Sequence, residues 1–69
     1  MTTQTTYKLT FDDAVGIWLR HWRGEYQHRI AASYDVNPAR VNEVLKGRRH
    51  PGSEERAEQI AAQQATDAA

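Results

Sequence analysis

The densest chemistry in the chain lies between residues 40 and 50, where Arg40, Lys46, Arg48, Arg49 and His50 surround Asn42 and Glu43. A guanidinium presents its N–H donors as a planar fork that fits carboxylate or phosphate oxygens two at a time, whereas an ammonium acts as a point charge. Asn42 carries a donor and an acceptor at one tip, and an ionised Glu43 only accepts. Such a set is equipped to hold an anion or to read a polar edge. It is poorly equipped to make or break bonds. No nucleophile–base pair, glycine-rich phosphate loop or cofactor motif accompanies it, so neither catalysis nor a cofactor is expected. His21, His28 and His50 share no helix face at ligand spacing, and cysteine is absent, so no metal is expected either. Asp12 and Asp13 form an adjacent carboxylate pair, but neighbours on a helix diverge by about 100°, and helix capping explains both. Trp18 and Trp22 have rings that can stack on bases, yet their spacing with Phe11 and Val15 is that of a core stripe. Tyr26 suits either the edge of a core or a partner.

The net charge of zero argues at first against a polyanion as partner. Its distribution argues the other way. Residues 1–19 set Lys8 against Asp12 and Asp13. Residues 20–50 set Arg20, Arg23, Arg29, Arg40, Lys46, Arg48 and Arg49 against Glu25, Asp35 and Glu43, a local excess of four positive charges. From residue 51 onward Arg56 is outnumbered by Glu54, Glu55, Glu58 and Asp67. Surface potential follows where charge sits, so a basic middle attracts phosphate even in a neutral chain.

These side chains must be positioned by a very small scaffold. At 69 residues there is room for one domain with a modest core, and without cysteine no disulfide supports it. The Thr- and Gln-rich start has neither the basic nor the apolar region of a secretory signal, and no stretch reaches the roughly 20 apolar residues of a membrane span. A soluble, cytoplasmic protein without membrane contact is expected.

Periodicity and caps predict four helices. Thr10 with Asp13 three residues on reads as a capping box, and Asp12 complements the helix dipole. Phe11, Val15, Trp18 and Trp22 follow on one face, and Gly24 suits a left-handed cap, giving helix 1 at 11–22. Gly16 within it costs about 1 kcal/mol relative to alanine, which a close helix contact would explain. Gln27, Ile30, Ala31 and Tyr34 predict helix 2 at about 26–34. Asn37 as N-cap and Pro38 at the first position open helix 3, about 38–46, with Val41, Val44 and Leu45 apolar and Lys46-Gly47 at its end. Pro51-Gly52-Ser53 predicts a turn, with Ser53 capping a weakly amphipathic fourth helix that frays into an Ala/Gln-rich tail. The expected core is Phe11, Val15, Trp18, Trp22, Ile30, Tyr34, Val41, Val44 and Leu45. The predicted organisation is a disordered tail at 1–6, one domain at 7–65 and a flexible tail at 66–69.

Helices 2 and 3 are separated by about three residues, a link suited to the near-perpendicular crossing of a helix-turn-helix. Here the stretch from Gln27 to Val44 resembles the helix-turn-helix of phage-repressor-type bacterial regulators. Gln27, Ile30 and Ala31 match the opening of that motif, with Ala31 small where the second helix packs across it. Val36, Val41 and Val44 match its later apolar positions. Asp35 departs from it, since the turn usually carries glycine at positive φ; Asp tolerates that region better than most residues. The resemblance implies an all-α, small helix-turn-helix bundle of about four helices, with its motif at 26–46. It also implies a transcription regulator that binds double-stranded DNA through helix 38–46.

A step of about 100° per residue turns Ala39, Asn42, Glu43 and Lys46 outward and Arg40 to the flank when Val41, Val44 and Leu45 face in. In the major groove, Asn42 pairs with adenine, Arg40 with guanine or a phosphate, and Glu43 accepts from cytosine N4. Gln27 and Asn37 mark helix N-termini that suit a phosphate, and Arg48, Arg49 and His50 form a basic loop for the backbone. Regulators of this type commonly pair on two half-sites, so a homodimer through exposed faces of helix 1 and the last helix is a candidate. The competing reading is a helix-turn-helix repurposed as a protein-binding adaptor or anti-activator. Neutral net charge and Glu43, which repels phosphate, favour that protein partner.

Overall fold

The structure, a computed structural model, describes residues 9–68; the expected tail at 1–6 lies outside them. The fold is all-α. Among the described residues four helices follow in chain order: α1 (Phe11–Trp22), α2 (Gln27–Ser33), α3 (Pro38–Leu45) and α4 (Ser53–Ala68). α1 packs most extensively on α4, α2 packs on α3, and α1 also lies against the α2–α3 pair. α4 takes in the backbone of residues 66–68, where the sequence suggested a tail.

The helix ends show how local sequence sets the connections. At the start of α1, Thr10 Oγ1 accepts from the Asp13 amide and Asp13 Oδ2 accepts from the Thr10 amide, both at 3.0 Å. This reciprocal box satisfies two amides that the helix leaves without partners. Asn37 Oδ1 accepts from the Ala39 amide at 2.8 Å, with Pro38 behind it at the first helical position. α1, α2 and α3 end in one and the same way. The amide two past the cap residue reaches back five positions: Glu25 to Arg20, Val36 to Ala31, Arg48 to Glu43. The residue between has positive φ: Gly24 at 92°, Asp35 at 57°, Gly47 at 77°. This is the Schellman geometry, which satisfies the last carbonyls and reverses the chain within a few residues. Asp35 therefore adopts the left-handed conformation expected of a turn glycine. Tyr34 and Lys46 serve as C-caps, so α2 and α3 each stop one residue short of their predicted ends.

The core consists of Leu9, Ala14, Val15, Ile17, Trp18, Ile30, Ala31, Val41, Val44 and Ala57, with Leu19, Tyr34, Val36, Leu45 and Ile60 packed around it. Two expected core residues are corrected. Phe11 remains 41% and Trp22 43% exposed, whereas Ile17 and Ala14 are fully buried. α1 is covered on two sides, by α4 and by the α2–α3 pair, so its inward face is broader than one stripe. Phe11 and Trp22, at the two ends of that stripe, are only partly covered. Ser53 is also reassigned: α4 begins at Ser53 itself, and the buried hydroxyl accepts from the Trp18 indole N–H at 3.1 Å. That bond satisfies the polar tip of an otherwise apolar side chain.

Gly16 has the close contact that its cost in a helix suggested. A Cβ built there would lie 2.8 Å from the Tyr34 hydroxyl. Tyr34 is itself held: the Arg20 guanidinium sits 5.8 Å from its ring centroid. The same guanidinium donates to Ser33 Oγ and, at 2.7 Å, to Glu25 Oε1. Arg20 thus ties the end of α1 to the end of α2.

Candidate functional site

α3 is short and its inner face is filled by Val41, Val44 and Leu45, so its remaining side chains are directed outward or sideways. Ala39, Asn42 and Lys46 are exposed, Arg40 and Glu43 are half-buried at the flanks, and Asn37 is exposed at the cap. Arg48 and Arg49 follow Gly47 as exposed residues of the loop. The outward set derived from helical spacing agrees for Ala39, Asn42 and Lys46, with Arg40 at the flank as expected; Glu43, expected outward, is half-buried because Arg40 and Arg49 flank its carboxylate.

The packing of α2 on α3 brings Gln27, the first residue of α2, to the outward face of α3. Asn42 Nδ2 donates to Gln27 Oε1 at 3.4 Å, a long bond between two accessible amide tips. One polar edge is formed from two helices. Beside it lies an ionic cluster. Glu43 Oε1 accepts from Arg49 Nε at 2.5 Å, and Glu43 Oε2 lies 3.3 Å from Arg40 Nη2. The Arg49 hydrogen bond holds the Glu43 carboxyl below the usual glutamate range, and the positive fields of Arg40, Arg49 and Arg48 add to it. Arg48, Arg49 and Glu43 line a shallow concavity between α3 and the following loop.

His50 is placed differently from its two basic neighbours. At φ 52° its ring turns back toward the start of α1, where the Leu9 carbonyl accepts from Nε2 at 2.6 Å and the Phe11 ring stands edge-on at 6.3 Å. It ties the α3–α4 loop to α1 rather than extending the basic surface. The pairing of Arg49 with Glu43 carried no signal in helical spacing, because Arg49 lies beyond the glycine stop. The i,i+3 spacing of Arg40 and Glu43 did carry one.

Among the described residues no three His, Asp or Glu side chains cluster as metal ligands would, and no helix is long and apolar enough to cross a membrane. No family model, curated protein or solved structure matches the chain.

Proposed function

We propose that the chain is a sequence-specific regulator that binds double-stranded DNA, with α3 entering the major groove. The observation that carries this reading is the polar edge at Gln27 and Asn42, flanked by Arg40, Lys46, Arg48 and Arg49. Exposed amide tips beside guanidinium groups are the donors and acceptors that base edges and phosphates demand. In this reading Asn42 faces a base edge, Arg40 reaches a guanine or a phosphate from the flank, and Lys46, Arg48 and Arg49 face the phosphate backbone. Gln27 accepts from Asn42 and so orients its amide. Ala39 is small enough to allow close approach, and Asn37 holds the first turn of α3 in register.

The exposed aromatic rings favour a second reading, the adaptor or anti-activator that binds protein. Tyr26 is 68% exposed and stacks on His28 at 5.7 Å with the planes 5° apart, and Trp22 is exposed nearby in sequence. Aromatic residues are enriched at protein interfaces.

An amide NMR titration with mixed-sequence duplex DNA at low salt separates the two. DNA binding by α3 shifts amides of residues 37–50. Asn42→Ala then loses about 1–3 kcal/mol on a selected site and relaxes its specificity. Arg48→Ala weakens all sequences alike and lowers the salt slope by about one unit. An absence of shifts in residues 37–50 removes the DNA reading in favour of a protein partner.

A further inference from the structure

Glu43 stands half-buried at the flank of the helix proposed to enter DNA, where a carboxylate repels phosphate. Yet both of its oxygens are occupied, one by Arg49 from the loop and the other by Arg40 one turn earlier on α3. The carboxylate occupies the place that a phosphate would take between these two guanidinium groups. We propose that Glu43 is a specificity-determining residue that acts as an internal substitute for phosphate, withholding Arg40 and Arg49 until a base amino group on the DNA takes over its oxygens. This rests on the DNA-binding reading above and deepens it.

The physical basis is an exchange between near-equal states. Ion pairs at accessible sites contribute only about 0–1 kcal/mol, so a phosphate can displace the carboxylate from either arginine at little cost. What the displacement leaves behind is the cost. A carboxylate stripped of its partners and pressed into a groove lined with phosphates is repelled and poorly solvated. That cost disappears where a cytosine N4 or adenine N6 amino group donates to it, both of which lie in the major groove. At such a site both arginines are free to take phosphates. Elsewhere at least one stays on Glu43, and the surface binds as though it held fewer cations. Glu43 thereby links base identity to the number of phosphates neutralised, and suppresses binding to sequences without the amino group. The concavity lined by Glu43, Arg48 and Arg49 leaves the cluster open to solvent, where a phosphate can approach it.

The test uses the full chain and compares wild type, Glu43→Gln and Glu54→Gln, the last removing an exposed carboxylate on α4 with the same change in net charge. Affinity for a mixed-sequence duplex and for a duplex selected from a random pool is measured across a salt series. Glu43→Gln is expected to steepen the mixed-sequence salt slope by one to two units, because each freed arginine adds about 0.9. Its mixed-sequence affinity should rise roughly tenfold at low salt, while affinity for the selected duplex rises less or falls. Glu54→Gln should change neither slope. If Glu43→Gln and Glu54→Gln behave alike, net charge alone acts and the proposal is overturned while the DNA reading stands. If no variant binds duplex, the reading and the proposal fall together. A second readout is the Arg49 Nε–Hε resonance of the wild type. It should move on addition of the selected duplex and stay near its DNA-free position with the mixed one; equal movement with both overturns the proposal.

Discussion

Replacing Gly16 by alanine sets two opposing effects against each other at a single atom. Alanine is favoured over glycine in a helix interior by about 1 kcal/mol, so on propensity alone Gly16→Ala stabilises α1. The new Cβ, however, would lie 2.8 Å from the Tyr34 hydroxyl, closer than a carbon and an oxygen can pack. The hydroxyl is the far end of its side chain, but the ring cannot swing away freely. It packs on the core on one side and lies under Arg20 on the other. Overpacking of this kind costs about 1–3 kcal/mol, so the net change in the wild type should be a destabilisation of up to about 2 kcal/mol. Among the described residues outside its immediate neighbours, no other side-chain atom comes within 4 Å of the added carbon. Removing the one oxygen by Tyr34→Phe therefore removes the conflict, and Gly16→Ala in that background should stabilise by about 1 kcal/mol. Urea unfolding of the four proteins, followed by far-UV ellipticity, gives the coupling energy, expected near 2 kcal/mol and within the range for residues in contact. The change is legible because a chain of this size has only about 3–10 kcal/mol of total stability. If Gly16→Ala stabilises both backgrounds equally, the reasoning is refuted and helix propensity alone governs the site.

Ser53→Ala should cost about 1–3 kcal/mol by stranding the buried Trp18 indole N–H. In a Trp18→Phe background, where no donor remains, the same change should cost much less; equal costs in urea unfolding would show that the bond contributes nothing. The pH dependence follows from Glu25 and Glu43, whose carboxyls are held below the ordinary glutamate value of 4.5 by hydrogen bonds from Arg20 and Arg49. Because folding depresses these values, their stabilisation is present above 4.5 and is lost as pH falls through the lower folded values. Urea midpoints should decline on acidification below that point, and Glu25→Gln with Glu43→Gln should flatten the decline; an unchanged profile would exclude the two pairs as its source.

Much of the backbone was legible in the sequence because it is decided by neighbours a few residues apart. Thr10 with Asp13, Asn37 with Pro38, and Gly24 and Gly47 act on their own turns of helix, so the limits of α1 and the start of α3 follow from local hydrogen bonds, while α2 and α3 end within one residue of expectation. The outward face of α3 was legible too, since a fixed step of about 100° needs only one known inward side. Asp35 at 57° belongs with these, because a turn this short requires positive φ whichever residue occupies it.

Only the tertiary structure decided the rest, wherever the outcome depended on what covers a surface. Phe11 and Trp22 share the periodicity of Val15 and Trp18, yet are only partly covered at the two ends of α1, whereas Ile17 is buried because α1 is covered on two sides. Glu43 read from sequence was a carboxylate that repels phosphate unless it meets a cytosine amino group. Folding brings Arg49 back across a glycine stop to neutralise it, a pairing set by a three-dimensional reversal and not by helical spacing. Ser53 and Trp18 meet across 35 positions, and His50 reaches Leu9 across 41. Helical periodicity is a property of single elements. Burial and charge pairing are properties of distances between them, which a linear pattern does not contain.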